Sequence, residues 1–232
     1  MTESAAAGLP DELGAVDQLL HRGEANPRTR SGIMAVELLE TTPDWSRYRS
    51  TYERASQEIK RLRQKVVMPT LPTAAPRWVV DPDFNLDFHV RRVRAPGAGT
   101  LRDVLDLAEV ALQSSMDISR PLWTATLVEG LADGGAAQIL HLSHAITDGV
   151  GGVEMFASIY DLEAEPSPRP SPPLLIPQDL SSNDLMREGL RHLPSAIAGG
   201  ALGLIGGAAG GIGRVLGNPI GAVTGTVGYL AS

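Results

Sequence analysis

His144 lies in the run His141-Leu142-Ser143-His144-Ala145-Ile146-Thr147-Asp148-Gly149-Val150-Gly151-Gly152, whose residue types and spacing suit proton transfer. An imidazole with an ordinary pKa of about 6.5 can take a proton from a hydroxyl near neutral pH, the task of a general base. Asp148, four residues on, can fix a strand-to-helix turn through backbone or arginine contacts. Alone, His-x-x-x-Asp-Gly is a short pattern, and most such histidines are structural or simply exposed. The remaining histidines have plainer readings. His89, beside Arg91 and Arg92, reads as a surface or packed residue, and His141 as a satisfied core histidine. His21 and His192 are expected in polar, exposed stretches. No His/Asp/Glu cluster has metal-ligand spacing, so no metal is expected. Gly149, Gly151 and Gly152 lack the following Lys-Ser/Thr of a phosphate loop, and Ser143 lacks the flanking glycines of a nucleophile elbow.

These residues need a scaffold, and the pattern supplies one. Alternation along Ala137 to Ser143 puts Leu140, Leu142 and His144 on one strand face and Ile139, His141 and Ser143 on the other. Trp123 to Glu129 reads as a partner strand, with Gly134-Gly135 as the hairpin signal between them. Ile33 to Leu39, Arg77 to Val80 and Phe88 to Val93 read as further strands. Trp45, Tyr48, Tyr52, Ala55, Ile59, Leu62 and Val66 recur at steps of three and four, which predicts one long helix packing its stripe on a core. Thr100 followed by Asp103 is an acidic relative of the capping box, opening a helix with Leu101, Val104, Leu105, Ala108 and Leu112 on one stripe. Val153, Phe156, Ala157 and Tyr160 have the spacing of another helix. Strands alternating with helices predict an α/β layered domain.

Composition narrows the class. Hydrophobic residues make up 43% and charged residues 20%, which fits a globular protein rather than a disordered one. A net charge of −7 argues against a nucleic-acid partner, which needs a basic field. The absence of cysteine removes disulfides and thiolate nucleophiles, and suits a cytosolic protein. Met1 to Glu12 has no apolar core, so no signal peptide is expected. Residues 163–180 are rich in proline and read as a stiff linker between a domain at 1–162 and a Gly/Ala-rich apolar segment at 181–232. That last segment is expected to form a helix that packs on protein or rests on a lipid surface.

Three blocks then carry a resemblance. Ser143 to Gly149 resembles the His-His-x-x-x-Asp-Gly motif of the CoA-dependent acyltransferase superfamily. Asp117-Ile118-Ser119-Arg120-Pro121-Leu122-Trp123, running on to Glu129-Gly130-Leu131, looks like the Pro-Leu-Trp block of the wax ester synthase / diacylglycerol acyltransferase family. Pro76 to Val90 is similar to another block of that family, in the same order. The resemblance implies a two-layer α/β sandwich, one chloramphenicol-acetyltransferase-like half of a two-half protein, with the active site in a tunnel between the halves. It implies transfer of a fatty acyl group from acyl-CoA, a co-substrate rather than a bound cofactor, to the hydroxyl of diacylglycerol or a long-chain alcohol. His144 would be the general base, Asp148 structural, and Gly149 the residue that permits the tight turn. Ser143 stands where the family has its first histidine, and Pro121, Leu122 and Trp123 form the fold block. Family proteins are roughly twice this long, so a C-terminal half in trans, or self-association, is expected to complete the site. The expected cytoplasmic protein would make peripheral contact at the inner membrane face or at lipid droplets, as the lipid substrates and the apolar tail imply. The rival expectation is a non-catalytic protein that keeps the fold and binds acyl chains or a lipid surface.

Overall fold

A strand whose two faces both carry apolar residues must be covered on both sides, and residues 136–143 have that pattern. The computed structural model, which describes residues 12–146, 155, 158–160 and 172–192, bears this out. The elements run α1 (Ala15–Gly23), β1 (Gly32–Leu39), α2 (Trp45–Glu58), a 3-10 turn (Lys60–Arg63), β2 (Gln64–Val67), β3 (Arg77–Val80), α3 (Leu86–His89), β4 (Val90–Arg94), α4 (Leu101–Gln113), β5 (Trp123–Glu129), β6 (Ala136–Ser143) and α5 (Ser182–His192). Four strands form a mixed sheet in the order β1-β6-β5-β4, and β2 pairs with β3 separately. Strand β6 is antiparallel to both neighbours, with Ser143 opposite Gly32 and Leu142 opposite Trp123, while β4 runs parallel to β5. Every residue of β6 is buried.

The two faces have different covers. Helix α2 lays Tyr48, Tyr52 and Ala55 on Trp123, Ala125, Leu127, Leu140 and Leu142. Its 14 residues are mostly polar, and an isolated helix of that length is marginal in water, so this apolar face is what holds it in place. Asp44 starts it by accepting the Arg47 N–H at 2.9 Å. Helix α4 covers the opposite face, packing Val104 and Ala108 on Val128, Ala137 and Ile139. The expected cap is present: the Asp103 carboxylate accepts the Thr100 N–H at 2.8 Å, and Thr100 Oγ1 accepts the Asp103 N–H. Gly134, in the β5–β6 turn, has a φ of 86°, a region that a side chain makes costly.

Two expected element boundaries need correction. The helix starting at Trp45 ends at Glu58; Ile59 is extended, and Leu62 and Val66 reach the core from the 3-10 turn and from β2. A period of three to four fits that path as well as a helix, and the β-branched Val66 and Val67 favour pairing with β3. The strand expected from Phe88 begins at Val90, because the Asn85 side chain accepts the Asp87 N–H and sets up the short helix α3. Of the helix expected around Val153 to Tyr160, residues 155 and 158–160 are described; 155, 158 and 159 are helical, and Met155 and Ile159 lie buried in the α2-side core.

In the proline-rich stretch, residues 172–180 contain neither helix nor strand. Gln178 nevertheless docks on β3: its N–H donates to the Val80 carbonyl at 3.0 Å, and its side-chain oxygen accepts the Val80 N–H at 3.2 Å. Helix α5 then buries Leu185 against Val67 and Val79, and Arg77 pairs with Glu188 at 3.0 Å. The apolar segment from Leu193 onward lies outside the described residues. No helix among the described residues is long and apolar enough to cross a membrane.

Candidate functional site

The site is built where β6 ends. Ser143 donates its N–H to the Leu122 carbonyl at 3.0 Å, which closes the ladder with β5. The chain then turns: the Ile146 N–H donates to the Ser143 carbonyl at 3.0 Å, and the His144 N–H to the Ser31 carbonyl at 3.4 Å. Ala145 and Ile146 are buried, so the turn is anchored beyond His144 as well as before it. The His144 side chain between these anchors is exposed. Asp148 and Gly149 lie outside the described residues.

Ser143 is fully buried, and its hydroxyl is used twice. It donates to Oε1 of Glu24 at 2.6 Å and accepts the Ala145 N–H at 3.2 Å. Glu24 is itself fully buried at the end of α1 and was not foreseen. It sits in the polar run Arg22-Gly23-Glu24-Ala25-Asn26, where no periodicity singles it out.

The three sequence blocks meet at this turn. Pro121, Leu122 and Trp123 are all buried, and the Leu122 carbonyl receives the Ser143 N–H. Trp123 donates its indole N–H to the Leu62 carbonyl at 2.7 Å, and its ring lies between those of Tyr52 and His89. His89, from the Pro76–Val90 block, donates from Nδ1 to the Trp123 carbonyl at 2.7 Å. Burial pushes the His89 imidazole down to about 4, against the opposing effect of that hydrogen bond. Trp123 and His89 are therefore packing residues, as read from the sequence.

His141 is buried with its ring over Gly32, where an added Cβ would sit 2.7 Å from Nε2. That nitrogen has no hydrogen-bond partner among the described residues, so the histidine is buried in the core as expected but not satisfied there. Burial, then the nearby Arg30, lowers its pKa. His21 is buried rather than exposed, and burial lowers its pKa also. The helical period of α1 turns it inward despite polar neighbours. His192 ends α5. A cavity of about 270 Å³ is lined by Phe88, Arg91, Met116, Trp123, Thr126 and His141, among others; His144 is not one of its walls. No group of three potential metal ligands occurs among the described residues.

Comparison with known proteins places the chain in a family. Residues 5–232 match the model of the wax ester synthase/diacylglycerol acyltransferase catalytic domain. The chain belongs to the wax ester synthase/diacylglycerol acyltransferase family. A Mycobacterium tuberculosis protein named "Putative diacyglycerol O-acyltransferase" is 69% identical over 224 residues, which are 97% of this chain and 46% of that protein. A second protein of that name from the same organism is 35% identical over 160 residues, 68% of this chain and 34% of its own length. The chain thus spans about half the length of the curated relatives it matches most fully. Among solved structures, the wax ester synthase/diacylglycerol acyltransferase from Marinobacter aquaeolei VT8 aligns with a TM-score of 0.52 at 23% identity, over 70% of this chain and 41% of that one. The starter condensation domain of rhizomide synthetase aligns with a TM-score of 0.53 at 13% identity, over 64% of this chain and 37% of that domain. At these identities the likeness is one of fold, and it agrees with the mixed α/β architecture.

Proposed function

We propose that this chain is the N-terminal half of an O-acyltransferase that moves a fatty acyl group from acyl-CoA to the hydroxyl of diacylglycerol or a long-chain alcohol. The observation that carries the reading is the position of His144. It stands exposed on a turn anchored at both ends, while His21, His89 and His141 are buried. A general base must reach its proton donor, and of these four only His144 is exposed.

In this mechanism His144 takes the proton of the acceptor hydroxyl as its oxygen attacks the thioester carbonyl. The C–O ester bond forms, the C–S bond breaks, and the proton returns to the departing CoA thiolate. No acyl-enzyme is needed, because holding both substrates at the base makes the attack effectively unimolecular. Family membership and the names of the mycobacterial relatives support the acceptor class. A condensation domain of the same fold solved with C8-CoA supports acyl-CoA as donor. The rest of the site is supplied by the half of the family's length that these residues do not span, and lipid substrates call for contact with the inner membrane face or with lipid droplets.

The test is acyl transfer from palmitoyl-CoA to diacylglycerol and to hexadecanol, by the chain alone and with a separately expressed C-terminal half, each with His144→Ala as control. Activity that disappears in the variant supports the reading. A folded chain that binds acyl-CoA or lipid vesicles, yet turns over in no combination, is a non-catalytic lipid-binding protein instead.

A further inference from the structure

We propose that Glu24 is a positioning residue for His144, acting through Ser143. The inference rests on the reading of His144 as general base and adds to it the group that holds the base in place.

A carboxylate with no access to solvent is costly unless it is satisfied, and Glu24 is completely buried. Among the described residues the side chain has a single hydrogen-bond partner: Oε1 receives the Ser143 hydroxyl at 2.6 Å, and Oε2 has none. The backbone on either side is held. The Glu24 N–H donates to the carbonyls of Leu20 and His21, and the Glu24 carbonyl receives the Arg30 guanidinium at 3.4 Å. The carboxylate is therefore presented from a fixed point.

Its effect on Ser143 is directional. A serine hydroxyl has one proton and two lone pairs, and it rotates to suit its neighbours. The Ser143 hydroxyl donates to Glu24 Oε1, which turns a lone pair of Oγ towards the Ala145 N–H at 3.2 Å. Ser143 and Ala145 flank His144. The relay from Glu24 to Ser143 to Ala145 thus sets the backbone on both sides of the base. Without the acceptor at Glu24 the hydroxyl is no longer held in one rotamer. The Ala145 N–H then loses its acceptor and the turn its fixed geometry. This also gives a role to the serine that stands where the motif has its first histidine: it is small enough to be buried fully between β6 and Glu24.

Glu24→Ala and Ser143→Ala, singly and together, test the relay in the full 232-residue chain. Both reduce side-chain volume, and either single variant suffices should the other fail to fold. In chain labelled with 13C,15N-histidine, the ring resonances of His144 are expected to move in each single variant, and no further in the double. His144 resonances that stay at their wild-type positions in a folded single variant overturn the proposal, as do shifts that simply add in the double. In acyl transfer by the chain with its C-terminal complement, kcat is expected to fall on the order of 10- to 100-fold with KM for palmitoyl-CoA unchanged. A rise in KM with kcat intact also overturns it. Should His144→Ala keep wild-type kcat, the general-base reading fails, and the resonances still decide whether Glu24 holds that turn.

Discussion

The indole N–H of Trp123 donates to the backbone carbonyl of Leu62 at 2.7 Å, a buried bond between residues 61 apart in the chain. It ties β5 to the 3-10 turn that follows α2, and so joins the Pro-Leu-Trp block to the helix covering that face of the sheet. Trp123→Phe keeps most of the ring stack and strands a buried carbonyl. The expected loss is about 1–3 kcal/mol, read as a shift of the guanidinium midpoint at unchanged slope. A midpoint equal to wild type would mean that the bond contributes nothing.

His89 makes stability depend on pH. Its folded pKa of about 4 lies below the unfolded value of about 6.5, chiefly through burial. Between those values the unfolded chain carries a proton that the folded chain does not. The contribution is therefore present in full above about pH 6.5 and is lost as pH falls towards 4, by an amount on the order of 3 kcal/mol. His21 and His141, also lowered by burial, act in the same direction. Unfolding midpoints at pH 7 and pH 5 check this: His89→Gln is expected to narrow the gap between them, and an unchanged gap would exclude the residue as the source.

Helix α5 docks through a close backbone approach. A Cβ at Gly189 would lie 2.2 Å from the Thr73 carbonyl oxygen, too close for a rigid partner to yield. Gly189→Ala is expected to lift α5 from β2 and β3 at a cost of about 1–3 kcal/mol. Hydrogen exchange would then speed up across residues 182–192 and remain slow in β5 and β6. Uniform loss of protection would instead mean that α5 and the four-stranded sheet unfold as one unit.

Diethyl pyrocarbonate distinguishes the histidines by access. His144 is exposed while His21, His89 and His141 are buried. Peptide mapping at low reagent is expected to find His144 modified before those three, and acyl transfer to decline in step with it. Early modification of His141 would show that β6 opens in solution.

Much of the fold was legible because its signals are local. Strands β3 and β5 fall where alternation and β-branched residues put them, and the Thr100–Asp103 cap depends on residues three apart. The long helix failed beyond Glu58 for an equally local reason. Ile59, Leu62 and Val66 face the core, and periodicity reports that burial without recording which backbone path achieves it. Glu24 was illegible because its side chain meets a partner far along the chain; Ser143 is 119 residues from it.

What the sequence by itself determined is the family, the α/β class and the candidate base, because each is carried by residue types in short ordered blocks that read the same in any conformation. Only the tertiary structure decided that those blocks touch. It showed Leu122 receiving the Ser143 N–H, His89 donating to the Trp123 carbonyl, and a buried Glu24 holding the hydroxyl beside His144. The physical reason is range: propensity and periodicity act over a few residues, whereas the burial and hydrogen bonding that orient a side chain depend on whichever distant segments the fold packs against it.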